Sequence, residues 1–291
     1  MTDHPRLSGS LSAWARGLCW TLIGLYGLSM LLPLVWPAFG AWAFLVQLGL
    51  LTGFALLHGS ARYGLLGIFV FLGVMFLVVN VIENISINTG VPFGQFHHTD
   101  ATGPKLFDVP LITGLAYFSA GYVAWILASL LLSESDVDTD SVSRFSTPIV
   151  AMFIVTGWDA CIDPIGGTIA RNWVWETGGG YYGVPISNFF GWMITTYIAY
   201  QIFALYLAGS NEGLRVGQGR SWWLMAAVQF LVMSLQYPLY WLTGVNTEVI
   251  DPAGRSWYTG EIFEGTTVVS LFTMLFVSVT CILIILRRQF R

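Results

Sequence analysis

The chain has 291 residues, of which 55% are hydrophobic and 10% are charged, and its formal net charge is −4 at pH 7. A soluble domain carries about 25% charged residues, so this composition excludes a soluble globular protein and indicates a polytopic membrane protein. The sequence has no basic patch, which excludes a nucleic-acid-binding role. The three cysteines (Cys19, Cys161 and Cys281) lie in apolar runs without ligand spacing, so we expect neither a disulfide framework nor a metal site.

Eight apolar stretches approach the length needed to span about 30 Å of hydrocarbon. Because backbone groups in lipid must be satisfied within the segment, we expect these stretches to be helices. The sequence therefore predicts an all-α fold, a polytopic membrane bundle of about eight transmembrane helices. In chain order the stretches are Leu18–Val35, Ala38–Leu57, Gly64–Ile82, Val109–Leu132, Thr147–Ile162, Val184–Leu207, Trp222–Leu242 and Ile262–Leu286.

The polar segments do not divide the chain, and we expect residues 1–291 to form a single membrane domain. Residues 1–17 are predicted to be a polar N-terminal tail and not a signal peptide, because the apolar run that follows is long enough to span the membrane. Residues 134–146 are predicted to be an acidic, solvated linker, and residues 209–219 a flexible, Gly-rich one.

The distribution of basic residues predicts the orientation, because lysine and arginine concentrate in cytoplasmic loops. With a cytoplasmic N-terminus, nine basic residues lie inside and three lie outside. We therefore expect a multi-pass cell-membrane protein with both termini in the cytoplasm. The inner residues are Arg6, Arg16, Arg62, Arg144, Arg215, Arg220, Arg287, Arg288 and Arg291, and the outer ones are Lys105, Arg171 and Arg255.

Two loops on the predicted outer face, Asn88–Pro110 and Ile165–Pro185, differ from ordinary linkers. Both are dense in glycine, proline and aromatic residues and contain few of the Ser, Lys and Glu residues that solvate a disordered segment. We expect them to pack against the helices as a lid.

Seven carboxylates lie at or near the predicted outer ends of the apolar stretches, where acidic side chains are costly and are functional candidates. Asp159 and Asp163 are four residues apart on one helical face, and Pro164 indicates that the helix ends at Asp163. Two close carboxyl groups resist being ionised together, so we expect one of them to keep its proton. The alternative is a helix-end pair that caps backbone groups or binds Arg171.

Glu83 lies at the predicted outer end of the third stretch, between Asn80 and Asn84. Their spacing allows all three polar groups to face inward, and the alternative is an acid that reaches the membrane interface. Asp108 and Glu176 lie in the outer loops near Lys105 and Arg171. A salt bridge therefore explains the position of each acid as well as a catalytic role does.

The remaining polar candidates have simpler explanations. Glu261 and Glu264 open the last apolar stretch, where negative charge stabilises a helix N-terminus. His97 and His98 are either proton carriers or metal ligands, or simply a pair of surface histidines. Five aromatic residues near the acids are expected to line a pocket or to form an interfacial belt: Trp158, Trp173, Trp175, Tyr181 and Tyr182.

The outer segments resemble a known family. The run Asn80–Asp108, with Gly90-Val-Pro-Phe-Gly94 and Gly103-Pro-Lys-Leu-Phe-Asp-Val-Pro110, is similar to the membrane carotenoid-biosynthesis family of acyclic carotenoid end-group hydratases, the bisanhydrobacterioruberin hydratase type. The segments Trp158-Asp159…Asp163-Pro164 and Trp175-Glu176-Thr-Gly-Gly-Gly-Tyr-Tyr-Gly-Val-Pro-Ile-Ser-Asn188-Phe-Phe-Gly191-Trp192 carry the same resemblance. It covers residues 64–207, the predicted site-bearing core.

The resemblance implies an enzyme that adds water across the terminal double bond of an acyclic carotenoid and leaves a tertiary alcohol. Such a reaction needs a protonated acid, a carboxylate that accepts a proton from water, aromatic faces for the cation and otherwise dry walls. The expected partners are an acyclic carotenoid, water and membrane lipid, with no cofactor.

Roles follow from this chemistry as expectations. Asp159 or Asp163 is expected to donate the proton, and Glu83 or Glu176 to activate water, with Asp108 a further catalytic candidate. Asn80, Asn84 and Asn188 are expected to orient these groups, and the five aromatic residues above to shape the substrate pocket.

Three other functions fit parts of the pattern. A membrane prenyltransferase is one, because Asp159 and Asp163 have an Asp-x-x-x-Asp spacing, although that face carries few cations for a diphosphate. A proton-coupled transporter is the second, with the acids as a relay. A carotenoid-binding protein without catalysis is the third.

Overall fold

The computed structural model describes residues 11–132, 143–209 and 219–287. Most of the predicted N-terminal tail, of the acidic linker and of the Gly-rich linker lies outside the described residues. Four of the predicted inner arginines lie outside them too, namely Arg6, Arg215, Arg288 and Arg291.

Within the described residues the protein is an all-α membrane helix bundle with three short two-stranded sheets. The helices are α1 Ala13–Val35, α2 Gly40–Thr89, α3 Leu111–Leu131, α4 Ser143–Asp163, α5 Ile186–Gly209, α6 Arg220–Leu242, α7 Thr259–Ser270 and α8 Phe276–Arg287. Wide π-helical segments, Pro164–Ile169 and Leu271–Leu275, follow α4 and join α7 to α8. The strands are β1 Phe96–His98, β2 Lys105–Leu106, β3 Val109–Pro110, β4 Trp173–Trp175, β5 Glu248–Ile250 and β6 Ser256–Tyr258.

Each of the eight predicted apolar stretches lies mainly within helical structure. Six helical segments in the described parts of the chain are long and apolar enough to cross a membrane, and one of them spans the second and third predicted stretches together. The helix α6, which covers the seventh stretch, is not among the six. The count of eight crossings therefore stays a prediction.

The helix α2 consists of two arms that meet at Gly64. Gly64 has φ +67° and ψ 175°, a conformation essentially reserved for glycine. In one straight helix Gln47 and Glu83 would lie about 54 Å apart. Both residues line one cavity, so the chain folds back sharply at Gly64 and the two arms run in opposite directions. Gly90 ends the second arm with φ +80°.

The helix α3 is the most buried of the six segments. Its glycines allow neighbours to approach closely, as small residues do between membrane helices. A Cβ at Gly114 would collide with the ring of Phe76 on α2. At Gly121, the hydroxyl of Tyr200 donates to the backbone carbonyl at 2.9 Å. These contacts fix α2 and α5 against α3.

The two Gly/Pro-rich outer loops are joined by strand pairing, which the sequence did not predict. Strand β1 pairs antiparallel with β4, so that Phe96 lies opposite Trp175 and His98 opposite Trp173. Phe93, in the loop before β1, is buried against Gly191 of α5, where a Cβ would collide with its ring. This contact holds the segment before β1 against α5.

Candidate functional site

A cavity of about 590 Å³ lies between the helices α1 to α6, beneath the β1–β4 sheet. Its walls are mostly apolar and aromatic, and polar side chains converge on it from α2, β1, α4 and α5. Among the described residues that line it, none is a lysine or arginine. One side of the cavity carries Glu83, His98, Asp163 and Asn188, and we call it the acidic side.

Asp159 and Asp163 end α4 and are joined by Asn188. The four-residue spacing places both carboxyl groups on one face of the last turn. The side-chain nitrogen of Asn188, in the first turn of α5, donates to Asp159 Oδ2 at 3.2 Å and also to Asp163 Oδ2. Both acids are buried, with exposures of 0% and 3%. Asp163 lines the cavity, and Asp159 lies behind it.

The segment after Asp163 brings two indoles against the acid pair. Pro164 begins the π-helical segment, and Gly166 and Gly167 follow within it. A Cβ at Gly166 would collide with the Trp173 ring, and a Cβ at Gly167 with the Trp175 ring. The absence of side chains at the two glycines therefore makes room for the indoles, and both tryptophans line the cavity.

Glu83 and His98 form a second buried pair at the cavity. His98 Nε2 lies 2.9 Å from Glu83 Oε2, and the two side chains are 5% and 6% exposed. The ammonium group of Lys105 donates to the backbone carbonyl of His98 at 2.7 Å, which holds this end of β1 in place. No described atom is a hydrogen-bond partner of His98 Nδ1.

Sequence reasoning did not separate His98 from His97. In β1 the burial alternates, with Phe96 and His98 buried and His97 exposed. This is the two-residue period of a strand, in which neighbouring side chains face opposite sides. The signal was present as Phe-His-His in an aromatic-rich loop, but a strand of three residues is too short for its period to be recognised.

Glu176 and Asp108 lie away from the cavity. Glu176 Oε1 is 2.5 Å from His97 Nδ1, and both side chains are about half exposed, at 48% and 50%. The backbone N–H of Asp108 donates to Asn84 Oδ1 at 2.9 Å, and its carboxylate accepts from Asn88 at 3.4 Å. Neither acid forms a salt bridge with Lys105 or Arg171, the cations next to it in sequence, among the ion pairs of the described residues.

Asn80 and Asn84 bind the loop of β2 and β3. The side-chain nitrogen of Asn84 donates to the backbone carbonyl of Asn80 at 2.7 Å, and that of Asn80 donates to the carbonyl of Leu106 at 3.4 Å. They share a helix with Glu83 but are not among the residues that line the cavity. Their position supports a role in holding the loop more than one in orienting Glu83.

Glu261 and Glu264 are exposed in the first turns of α7, next to Tyr182. Partial burial, together with the negative charge of these two glutamates, raises the pKa of Tyr182. The hydroxyl of Tyr181 donates to the carbonyl of Ala160 at 2.9 Å. Tyr181 and Tyr182 therefore brace the outer loop against α4 and α7 and lie outside the cavity.

The aromatic wall of the cavity includes a stacked pair, Tyr117 and Trp192, that was not among the candidates. Tyr117 of α3 stacks on Trp192 of α5 with ring centroids 3.7 Å apart and an interplanar angle of 5°. Trp158 meets Trp192 edge to face at 5.9 Å. All three line the cavity, as do Trp173 and Trp175. Tyr117 and Trp192 were missed because aromatic residues in apolar helices have no distinctive spacing.

In the described parts of the chain, no group of three or more His, Cys, Asp or Glu residues is placed to hold a metal ion. The Asp159–Asp163 pair, which would be the magnesium motif of a prenyltransferase, instead shares the amide of Asn188.

Comparison with known proteins gives one family and one curated relative. The family described as "Carotenoid biosynthesis protein" matches residues 19–251, which extends beyond the resemblance seen in the sequence on both sides. Bisanhydrobacterioruberin hydratase of Haloarcula japonica is 32% identical over 123 residues, which are 42% of this chain and 40% of the relative. The match thus spans less than half the length of that relative. No solved structure matches the chain.

Proposed function

The chain belongs to the carotenoid biosynthesis protein family, and from that premise we propose that it is a hydratase that adds water to the terminal double bond of an acyclic carotenoid. One observation carries the proposal. Two buried acid groups, Asp163 with Asp159 and Glu83 with His98, face a largely apolar cavity whose described lining contains no lysine or arginine. The curated relative bears the name of a hydratase, which agrees with this chemistry.

In the proposed reaction Asp163 is the proton donor. It lines the cavity, whereas Asp159 lies behind it and shares Asn188 with it. When two carboxyl groups lie close together with no cation beside them, the state in which they share one proton is favoured over the state in which both are ionised. Transfer of that proton to the less substituted carbon of the terminal double bond leaves a tertiary cation on its neighbour.

The aromatic wall stabilises that cation. Indole and phenol faces attract a desolvated cation by about 2 kcal/mol each. The stacked pair Tyr117–Trp192 and the neighbouring Trp158, Trp173 and Trp175 surround the cavity. The same rings exclude bulk water, so that few nucleophiles other than one bound water can reach the cation.

Glu83 accepts the proton of the attacking water. Water forms the new carbon–oxygen bond, its proton passes to the Glu83 carboxylate, and the product is a tertiary alcohol. A carboxylate only accepts hydrogen bonds, so the 2.9 Å contact between His98 Nε2 and Glu83 Oε2 needs a proton on that nitrogen. His98 therefore carries its proton on Nε2 and donates to Glu83, which makes it a positioning residue. The proton gained by Glu83 balances the one lost by Asp163, and exchange with water restores both groups.

We also propose the orientation in which both termini are cytoplasmic and the cavity opens toward the outer face of the cell membrane. The distribution of nine basic residues against three supports it. A substrate of length comparable to the hydrocarbon core would then present its end group near the interface, where water is available.

The proposal is tested by expression in cells that accumulate acyclic carotenoids, followed by chromatography and mass spectrometry of the pigments. Separate hosts supply lycopene-type and fifty-carbon bisanhydro-type pigments. We expect a product heavier by one or two waters with the wild type and with Glu176→Gln, and none with Asp163→Asn. Unchanged pigment in both hosts, with wild-type protein folded in the membrane, would favour a binding protein or a transporter.

A further inference from the structure

The two acid groups on the acidic side of the cavity end the proposed reaction in the wrong protonation states for another turnover. Asp163 has given a proton to the substrate, and Glu83 has gained one from water. A group that connects them must both accept and donate a proton. The amide of Asn188, which joins the aspartates, cannot do this because its nitrogen is a donor only.

Tyr117 of α3 lies between the two acid groups. Its ring stacks on Trp192 of α5, with the ring centroids 3.7 Å apart. Trp192 is one helical turn from Asn188, the residue that bonds to both aspartates. The same helix α3 packs along the second arm of α2, which carries Glu83. Tyr117 also lines the cavity that both acid groups face.

The hydroxyl of Tyr117 is the part of this residue that the aromatic wall does not explain. It interacts electrostatically with Glu83 and also with both aspartates. The residue is 2% exposed, and its hydroxyl has no hydrogen-bond partner among the described residues. An unpaired buried hydroxyl costs about 1–3 kcal/mol. Hydrogen bonds between catalytic groups are often long before the substrate binds and shorten in the complex, so we expect this hydroxyl to pair with the acids there.

Bulk water reaches the cavity beside the Glu83–His98 pair. Ala101, Gly103 and Pro104 follow His98 in the chain, line the cavity and are exposed. The aspartates at the end of α4 are 0% and 3% exposed. A hydroxyl that both donates and accepts can carry a proton from the watered side to this buried pair.

We propose that the Tyr117 hydroxyl relays a proton from Glu83 to the Asp159–Asp163 pair and so prepares the site for the next turnover. The protonated Glu83 donates its proton to the phenol oxygen, while the phenol passes its own proton to the aspartates. One O–H bond forms and one breaks at the phenol, so Tyr117 is neutral before and after. The inference rests on the proposed function and deepens it, because it gives the route by which exchange with water at Glu83 restores Asp163.

The test compares the first turnover with later ones in proteoliposomes that contain an excess of acyclic carotenoid. Tyr117→Phe keeps the stacked ring and removes only the hydroxyl. Because Asp163 starts protonated, we expect the first turnover to keep the wild-type rate and later turnovers to slow by at least about tenfold. The variant should therefore show a burst of a single turnover that the wild type lacks. Imidazole buffer, which can carry the proton instead, should speed the slow phase of the variant and leave the wild type unchanged.

Tyr200→Phe is the matched control. Tyr200 is 0% exposed, its hydroxyl donates to the carbonyl of Gly121, and it does not line the cavity. This variant should show no burst. Tyr117→Trp keeps a ring that can stack, but its indole N–H donates and cannot accept. It should show the same burst as Tyr117→Phe, so the test remains valid if Tyr117→Phe fails to fold.

The outcomes separate the two proposals. Equal slowing of the first and later turnovers in the Tyr117 variants, or a time course like that of the wild type, overturns the relay while hydration by the wild type stands. A burst in Tyr200→Phe overturns it as well, because the burst would then not depend on Tyr117. If the wild type hydrates no pigment, the proposed function itself is wrong.

Discussion

Glu83 comes from a membrane helix and His98 from the strand β1, yet their side chains meet at 2.9 Å in a buried pair at the cavity. The adjacent His97 makes the same kind of pair with Glu176 on the exposed side of the strand. The two pairs have similar chemistry and opposite surroundings, so each is a control for the other.

The first prediction concerns His98 as the residue that positions Glu83. His98→Leu should lower kcat for hydration by at least about tenfold, since base catalysis contributes about 10²–10⁴-fold. His98→Gln, which can still donate to Glu83, should restore most of the rate. The change should fall on kcat more than on KM, because the pair acts after substrate binding.

His97→Leu is the control for this prediction and should retain wild-type kinetics. An equal loss of activity in His97→Leu, or a dead His98→Gln protein that is folded, would contradict the positioning role.

The second prediction concerns Asp163 and the amide of Asn188 that joins it to Asp159. Asp163→Asn removes the proton donor and should lower the rate by at least about 100-fold. Asn188→Leu removes the amide that both acids share and should lower kcat while the protein still binds pigment. Pigment that co-purifies with Asp163→Asn should be unhydrated substrate. Full activity of Asp163→Asn would require a different donor.

Much of this site follows from the sequence, but its pairings do not. The spacing of Asp159 and Asp163 and the helix end at Pro164 predict their shared face, because helical geometry is local. The partner of each acid is not local: Asn188 comes from the next helix and His98 from a strand whose register depends on β4. Asn80 and Asn84 share a helix with Glu83, yet they bind the β2–β3 loop, which no spacing rule within one helix predicts.

In the fold, too, the sequence predicts local features and does not predict those that depend on distant residues. Hydropathy predicts the helical segments, because apolar length is a local property. It predicts the two stretches Ala38–Leu57 and Gly64–Ile82, but not that helical structure continues past Leu57 and reverses at the single residue Gly64, since that depends on one backbone conformation.

The third prediction concerns the glycines beneath the indoles. Gly167→Ala should destabilise the folded protein by about 1–3 kcal/mol, as overpacking does, because its Cβ collides with the Trp175 ring. Hydration should fall with it, since the ring must leave the cavity wall. Unfolding in mixed micelles measures the first effect.

Gly180→Ala is the matched control. Gly180 lies in the same outer loop, and a Cβ there meets no atom within 4 Å. The free energy of unfolding of the Gly180→Ala protein should differ from that of the wild type by less than about 0.5 kcal/mol. Equal stability of the two variants would show that the indoles do not need the glycine.

The fourth prediction concerns the reversal of α2. Gly64→Ala should cost about 1–3 kcal/mol of stability, because an alanine is strained at φ +67° and ψ 175°. Gly73→Ala, in the second arm where a Cβ meets no atom within 4 Å, should leave the stability unchanged or raise it. Thermal inactivation of the purified variants compares them. A Gly64→Ala protein as stable as Gly73→Ala would mean that the reversal does not need a glycine.

The most direct measurement of the central claim is hydration by the purified protein in water labelled with oxygen-18 and, separately, in deuterium oxide. Incubation with an acyclic carotenoid should place one labelled oxygen in the new tertiary alcohol and one deuterium on the adjacent carbon, for each end group that reacts. Asp163→Asn should incorporate neither label, and Glu176→Gln should incorporate both. Pigment recovered without either label from folded wild-type protein would contradict the account.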